Sequence, residues 1–238
     1  MSSRFPGFPA EALKFLRGLK RNNRREWFQP RKYLYEQHVK APMLELVAAL
    51  NAGLLQFAPD YVTDPKKAVF RIYRDTRFSA DKTPYKTHIA ASFSRRGHGL
   101  MASGGFYFSI SPEQIEVAGG IYHPPPETTL LVRNHIAENH QALRRILAAR
   151  NTRKLMGELQ GDQLRRPPKG FDADHPAIAW IKMKDWILDV TLDPSLAGSP
   201  TVQSEILQRF RVMAPLIEFL NAPLITRRTP AKLLEYGL

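Results

Sequence analysis

The chain predicts an α+β fold, an antiparallel meander sheet of about four to five strands flanked by N-terminal and C-terminal helices. Three observations carry the prediction. Apolar residues recur at helical spacing near the start, switch to every second residue between Val69 and Ala118, and return to helical spacing after the HPPPE run. Helices, then strands, then helices come in blocks rather than alternating, which argues against a parallel βαβ sheet. Strands Phe106–Ile110 and Ile115–Ala118 are separated only by SPEQ, a turn short enough to force a hairpin.

The elements follow in order. After Pro9, Leu13, Leu16 and Leu19 fall on one helical face, while Lys14, Arg17, Lys20 and Arg21 project elsewhere. Asn23 with Glu26 three residues on reads as a capping box that starts a further turn carrying Trp27 and Phe28. Beyond Pro30, helical spacing runs through Tyr35, Val39, Met43, Val47 and Leu50, restarts at Pro42 and ends near Gly53. Strands are expected at Val69–Tyr73, Ile89–Ser94, Phe106–Ile110 and Ile115–Ala118, the second and third joined by RRGHGLMASGG. Prolines then open a long helix with Leu131, Ile136, Leu143 and Leu147. A helix around Lys154–Leu159, a short one at Trp180, a strand at Trp186–Leu192 and a last helix over Thr201–Leu220 complete the chain. With no repeat or low-complexity linker, all 238 residues are expected to form one domain: helices over 1–55, sheet and charged loop over 66–122, and a mainly helical part over 123–238.

Composition bounds the chemistry. An apolar fraction of 43% is ordinary for a globular chain, and the absence of cysteine excludes disulfides, thiolate nucleophiles, iron–sulfur clusters and thiolate zinc sites. The net charge of +13 gathers polyanions, so nucleic acid enters as a partner class beside the alternative of a proteome rich in arginine. No apolar run reaches the roughly 20 residues that span a bilayer, and no membrane partner is expected. The first residues lack the apolar core of a secretory signal, and a cytoplasmic protein is expected.

The densest chemistry lies in FRIYRDTRFSADKTPYKTH, Phe70 to His88. Arg71, Arg74, Arg77, Lys82 and Lys86 outnumber Asp75 and Asp81, and forked guanidinium and point-charge ammonium groups suit phosphate or carboxylate. The competing reading is an internal salt-bridge lattice, with Asp75 the acid expected to be buried and paired. In GGIYHPPP, Gly119 and Gly120 allow close backbone approach, and the helix start presents free N–H groups; a plain strand-to-helix turn has the same look. In PKGFDADHP, Asp172 and Asp174 flank His175, as in a proton-transfer pair or in an ordinary exposed turn. His135 and His140 are five apart, off the four-residue spacing of a helical metal pair, and no Walker, dinucleotide or nucleophile-elbow pattern occurs. No metal site is expected, and any cofactor is left unknown.

RDTRFSADKTPYKTH, GGIYHP and PKGFDADHP, in this order behind FLRGLKRNNRREWF, resemble the bacterial and fungal family catalogued as domain of unknown function 2461. The resemblance spans essentially the whole chain. It implies a single α+β domain and supplies no catalytic residues.

The leading expectation is a site for an anionic small molecule at the sheet edge, with the question of catalysis open. Arg71, Arg74, Arg77, Lys82 and Lys86 would bind the anion, Gly119 and Gly120 would let it approach, and Tyr85 and Tyr122 would line the pocket. His88, His123 or Asp75 would move any proton. The alternatives are a nucleic-acid-binding module and a structural or interaction protein. The three motif segments, followed through Arg77, Tyr122 and His175, are expected to converge.

Overall fold

A computed structural model describes residues 4–97 and 103–225. Helix α1 (Ala10–Arg21) buries Ala12, Phe15, Leu16 and Leu19 and leaves Lys14, Arg17, Lys20 and Arg21 outside, as its apolar spacing requires. Helix α2 (Arg25–Phe28) begins without the expected capping box. The Asn23 amide instead spans the backbone of Tyr85, donating to its carbonyl at 2.8 Å and accepting from its N–H at 3.0 Å. Two bonds to one extended residue outcompete a single bond to a helix N–H. Helix α3 (Lys32–Tyr35) passes through a π-turn at Glu36–Lys40 into α4 (Ala41–Leu54), where Pro42 occupies the first turn. In the short α5 (Pro65–Ala68), the Asp64 carboxylate caps the N–H groups of Lys66 and Lys67.

The sheet is a four-stranded antiparallel meander of β1 (Ile89–Ser94), β2 (Gly105–Ile110), β3 (Ile115–Ile121) and β4 (Trp186–Leu192), neighbours in sequence order. Ser111 closes the β2–β3 hairpin, its N–H reaching the Gln114 carbonyl at 3.0 Å. Part of the predicted β1–β2 connection, residues 98–102, lies outside the described residues. The expected strand at Val69–Tyr73 is reduced to two isolated bridges, Val69 with Ala91 and Tyr73 with Tyr85. Four steps along one segment face six along the other, so the two cannot stay in register, and a regular ladder fails.

Helices α6 (Pro126–Ala148), α7 (Arg150–Met156), α8 (Ile178–Ile181) and α9 (Val202–Ile225) complete the fold. Helix α7 starts four residues before its expected position at Lys154, and α9 runs five residues past Leu220. One face of the sheet is apolar: Phe93, Phe106, Phe108, Ile115, Val117, Ile121 and Leu188 are buried. Helix α9 covers that face, with Phe210 packing on Phe93 at 5.6 Å and Phe106 at 4.8 Å between ring centroids. Buried Asn221 of α9 bonds the Tyr61 hydroxyl and both backbone groups of Gly104, fixing the entry to β2. Among the described residues no helix is long and apolar enough to cross a membrane.

Candidate functional site

Side-chain alternation that sends apolar residues toward α9 sends Ser92, Tyr107, Glu116, Ala118 and Asp189 to the other face. There they line a cleft of about 470 Å³, walled by Phe70, Tyr107, Tyr122 and Ile187. Phe70 belongs to the irregular segment beside β1; its N–H bonds the Ala90 carbonyl, which holds its ring 6.3 Å from that of Tyr107.

Two carboxyl groups meet in this cleft. Glu116 pairs in register with Thr191 and Ala118 with Asp189, so Glu116 and Asp189 are diagonal neighbours on adjacent strands, about 7–8 Å apart or less at Cβ. Ser109 donates to Glu116 Oε2 at 3.1 Å. Asp189 Oδ1 is shut off from solvent without a hydrogen-bond partner among the described residues. Burial pushes the Glu116 carboxyl up, the Asp189 charge adds to this, and the Ser109 bond opposes it. Burial likewise raises Asp189, against a backbone N–H from Val190. Burial and the Glu116 charge push the Tyr107 phenol up to about 12. Among the described residues no lysine, arginine or histidine lines the cleft.

The charged loop is arranged differently. Arg74 bonds Asp81 and Thr83, Arg77 forks onto Asp75, and Lys82 donates to the Thr76 carbonyl at 2.9 Å. This is the salt-bridge lattice of the competing reading, with one correction: Asp75 is paired but exposed, because it sits in a turn with Arg77 outside it. The Arg77 bonds hold its carboxyl down to about 2. Tyr85, expected in the pocket wall, is 1% exposed and stacks on Phe28 at 4.2 Å, serving the core instead. Lys86 lies over the Phe70 ring at 4.9 Å, outside the cleft wall, and burial with nearby Arg71 lowers its ammonium pKa. His88 is half-buried, and burial, with Lys86 adding to it, lowers its pKa. Arg71 lines a neighbouring groove of about 460 Å³ with Lys40, Lys66 and Tyr73; Phe70 is the wall the two cavities share.

The glycine pair divides by face. A Cβ on Gly119 would meet Met213 and Ile217 of α9, whereas Gly120, at φ +136°, has the Trp186 carbonyl 2.0 Å from where its Cβ would stand. Tyr122 lines the cleft and stacks on His123 at 4.0 Å. His123 has a left-handed backbone (φ 48°), and its N–H and Nδ1 both meet Asp185 Oδ1, at 2.7 and 2.9 Å. Asp185 is itself 3% exposed. The strain is held by that double contact. In the third segment, His175 Nδ1 accepts the Ala177 N–H and the ring packs 5.5 Å from His140, while Asp172 accepts the Asp174 N–H. The segment is a turn and helix start, and no Asp172–His175 or Asp174–His175 ion pair forms. Of the three markers of convergence, Tyr122 lines the cleft, and Arg77 and His175 do not.

Sequence reasoning missed Tyr107, Glu116 and Asp189. The available signal was an acid at an open-face position in each of two otherwise apolar strands, IEVAGGI and WILDVTL. No group of three or more His, Asp or Glu side chains suited to a metal ion occurs among the described residues.

No curated protein and no solved structure matches the chain. The family model described as conserved hypothetical protein (DUF2461) matches residues 11–219, and the chain belongs to that family.

Proposed function

We propose that the protein binds a small organic molecule in the cleft on the open face of the sheet, with Glu116 and Asp189 exchanging a proton with it. The observation that carries this reading is the carboxyl pair at the base of an aromatic-walled cavity, with one Asp189 oxygen buried and unpaired. A buried oxygen left so costs stability unless the carboxyl is protonated or a positive charge nearby offsets it, and perturbed carboxyls in clefts are common at working sites. Proton exchange follows from the raised titration of both groups, which brings their protonated forms closer to neutral pH.

The test is an amide-resolved NMR screen with a fragment set of amines, acids and polyols. Binding should move resonances of residues 105–107, 116–120 and 187–189, and Ala118→Trp, which fills the cleft from its floor, should abolish the shifts. Shifts that persist in Ala118→Trp would sink the reading.

Anion binding is supported at a different place from the loop that suggested it. The groove beyond Phe70 holds Lys66 and Arg71, neither of which forms an ion pair among the described residues, and Lys40, which pairs with Glu36. Inorganic phosphate that moves resonances of residues 66 and 71, and not those of the cleft, would support this second site.

A further inference from the structure

We infer that the ligand of the open-face cleft carries a protonated amine on a flat apolar body, the amine seated on Glu116 and Asp189. The inference rests on the cleft being the binding site and adds the class of molecule it takes.

Charge is the first ground. In a chain of 35 lysines and arginines against 22 acids, the described lining of this cavity has two carboxyls and no cation. The long-range field of the molecule repels cations, so a site built to hold one needs local negative charge, and here that charge is diagonal across β3 and β4.

Wall chemistry is the second. Phe70, Tyr107 and Tyr122 line the cavity together with the carboxyls, and an aromatic lining suits a flat apolar body and tolerates a desolvated ammonium better than an anion. A carboxylate or phosphate in the same position would face two acids, with no donor among the described lining residues stronger than the Ser92, Ser94, Tyr107 and Tyr122 hydroxyls and backbone N–H groups.

The need of the site itself is the third. Among the described residues Asp189 has the Val190 N–H but no partner at Oδ1, and Glu116 has only Ser109. A positive charge in the cleft acts on both ionised carboxyls at once, whereas a single neutral hydroxyl donates its one proton to only one of them. The titratable groups in the described lining are Tyr107 on β2, Tyr122 just past β3 and the two carboxyls on β3 and β4, so binding of a cation is linked to loss of carboxyl protons.

Benzylamine, benzyl alcohol and benzoate separate the classes, because they share a ring and differ in charge. With the full-length chain at pH 7, benzylamine should bind about tenfold or more tighter than benzyl alcohol, the scale of one charge-assisted hydrogen bond, and move the cleft resonances. Benzylamine keeps its charge as the solution is acidified from pH 7 to 4, so its affinity should fall as the carboxyls take up protons, while that of benzyl alcohol should not. Asp189→Asn and Glu116→Gln, near-isosteric, should each weaken benzylamine about tenfold and leave benzyl alcohol unchanged. Equal affinity of amine and alcohol would overturn the ammonium class and leave the cleft reading standing. Preference for benzoate, or benzylamine affinity that does not change with pH, would overturn it too. Failure of the cleft reading would look different: fragment shifts untouched by Ala118→Trp.

Discussion

Asp189 shows how a side chain on an open sheet face can weaken a fold. Its carboxyl lies on the sheet with Oδ1 buried and unpaired, and burial raises its pKa from the ordinary 3.8. A carboxyl raised in the folded state contributes its full stability below pH 3.8, where it is protonated in both states, and loses that contribution as pH rises through the folded value. Asp189→Asn removes the charge and keeps the shape. It should therefore melt higher than the parent at pH 7, with the gain shrinking toward pH 4, as thermal melts across that range would show. Asp75 is the opposite case. Its pKa is held near 2 by Arg77, but both groups are exposed and the pair is screened, so Asp75→Ala should leave the melting temperature nearly unchanged. A large drop in a thermal scan would mean that this turn anchors the loop more firmly than its exposure implies.

At the scale of elements, the fold depends on a few contacts between segments distant in sequence. Asn23, between α1 and α2, satisfies both backbone groups of Tyr85 and so locks the charged loop to the N-terminal helices, beside the Tyr85–Phe28 stack. Asn23→Ala leaves a part-buried N–H and carbonyl to find other partners, and chemical unfolding should show a loss of about 1–3 kcal/mol. In β3, Gly120 combines a positive φ with a carbonyl pressed against the position of its missing Cβ. Gly120→Ala should cost about 2–3 kcal/mol and disturb the β3–β4 ladder below the cleft, measurable by unfolding and by loss of amide protection in β4. The same distinction explains what could be read beforehand. The β2–β3 hairpin was legible because alternation and turn chemistry are local. The carboxyl pair was not, because it exists only through the pairing of β3 with β4, whose strands are separated by α6, α7 and α8. Tyr85 was misplaced for a related reason: an aromatic in a loop reads the same whether it faces a ligand or a partner such as Phe28. The strand at Val69–Tyr73 failed because the pairing register, which a single segment does not reveal, slips by two residues.

For the whole molecule, the question is where a surplus of +13 is spent. In the charged loop, where cations are densest in sequence, Arg74 and Arg77 are offset by Asp81 and Asp75, and Lys82 is tied to the Thr76 carbonyl. The end of α6 and the whole of α7 are not: Arg144, Arg145, Arg150, Arg153 and Lys154 are all exposed, lie within eleven residues that contain no acid, and form no ion pair among the described residues. On α1, Lys14, Arg17 and Arg21 are exposed in the same way, and Lys20 pairs with Glu113. These cations lie on the exposed faces of helices, so each run offers a polyanion a few phosphate contacts. Binding of a single-stranded oligonucleotide should accordingly be weak near physiological salt and fall steeply as salt rises, with a log–log slope of about −0.7 per phosphate neutralised. Replacing the five α6–α7 cations with glutamine should flatten that slope, and replacing Lys14, Arg17, Lys20 and Arg21 should do so separately, since the two runs lie on different helices. Arg77→Gln and Lys82→Gln should leave it unchanged, because in the free protein both side chains are already engaged within their own loop. Tight binding at physiological salt that is lost with Arg77 and Lys82 would reverse the assignment: the loop would then have to exchange its internal acids for phosphate, and nucleic acid, not a small molecule in the cleft, would become the leading partner.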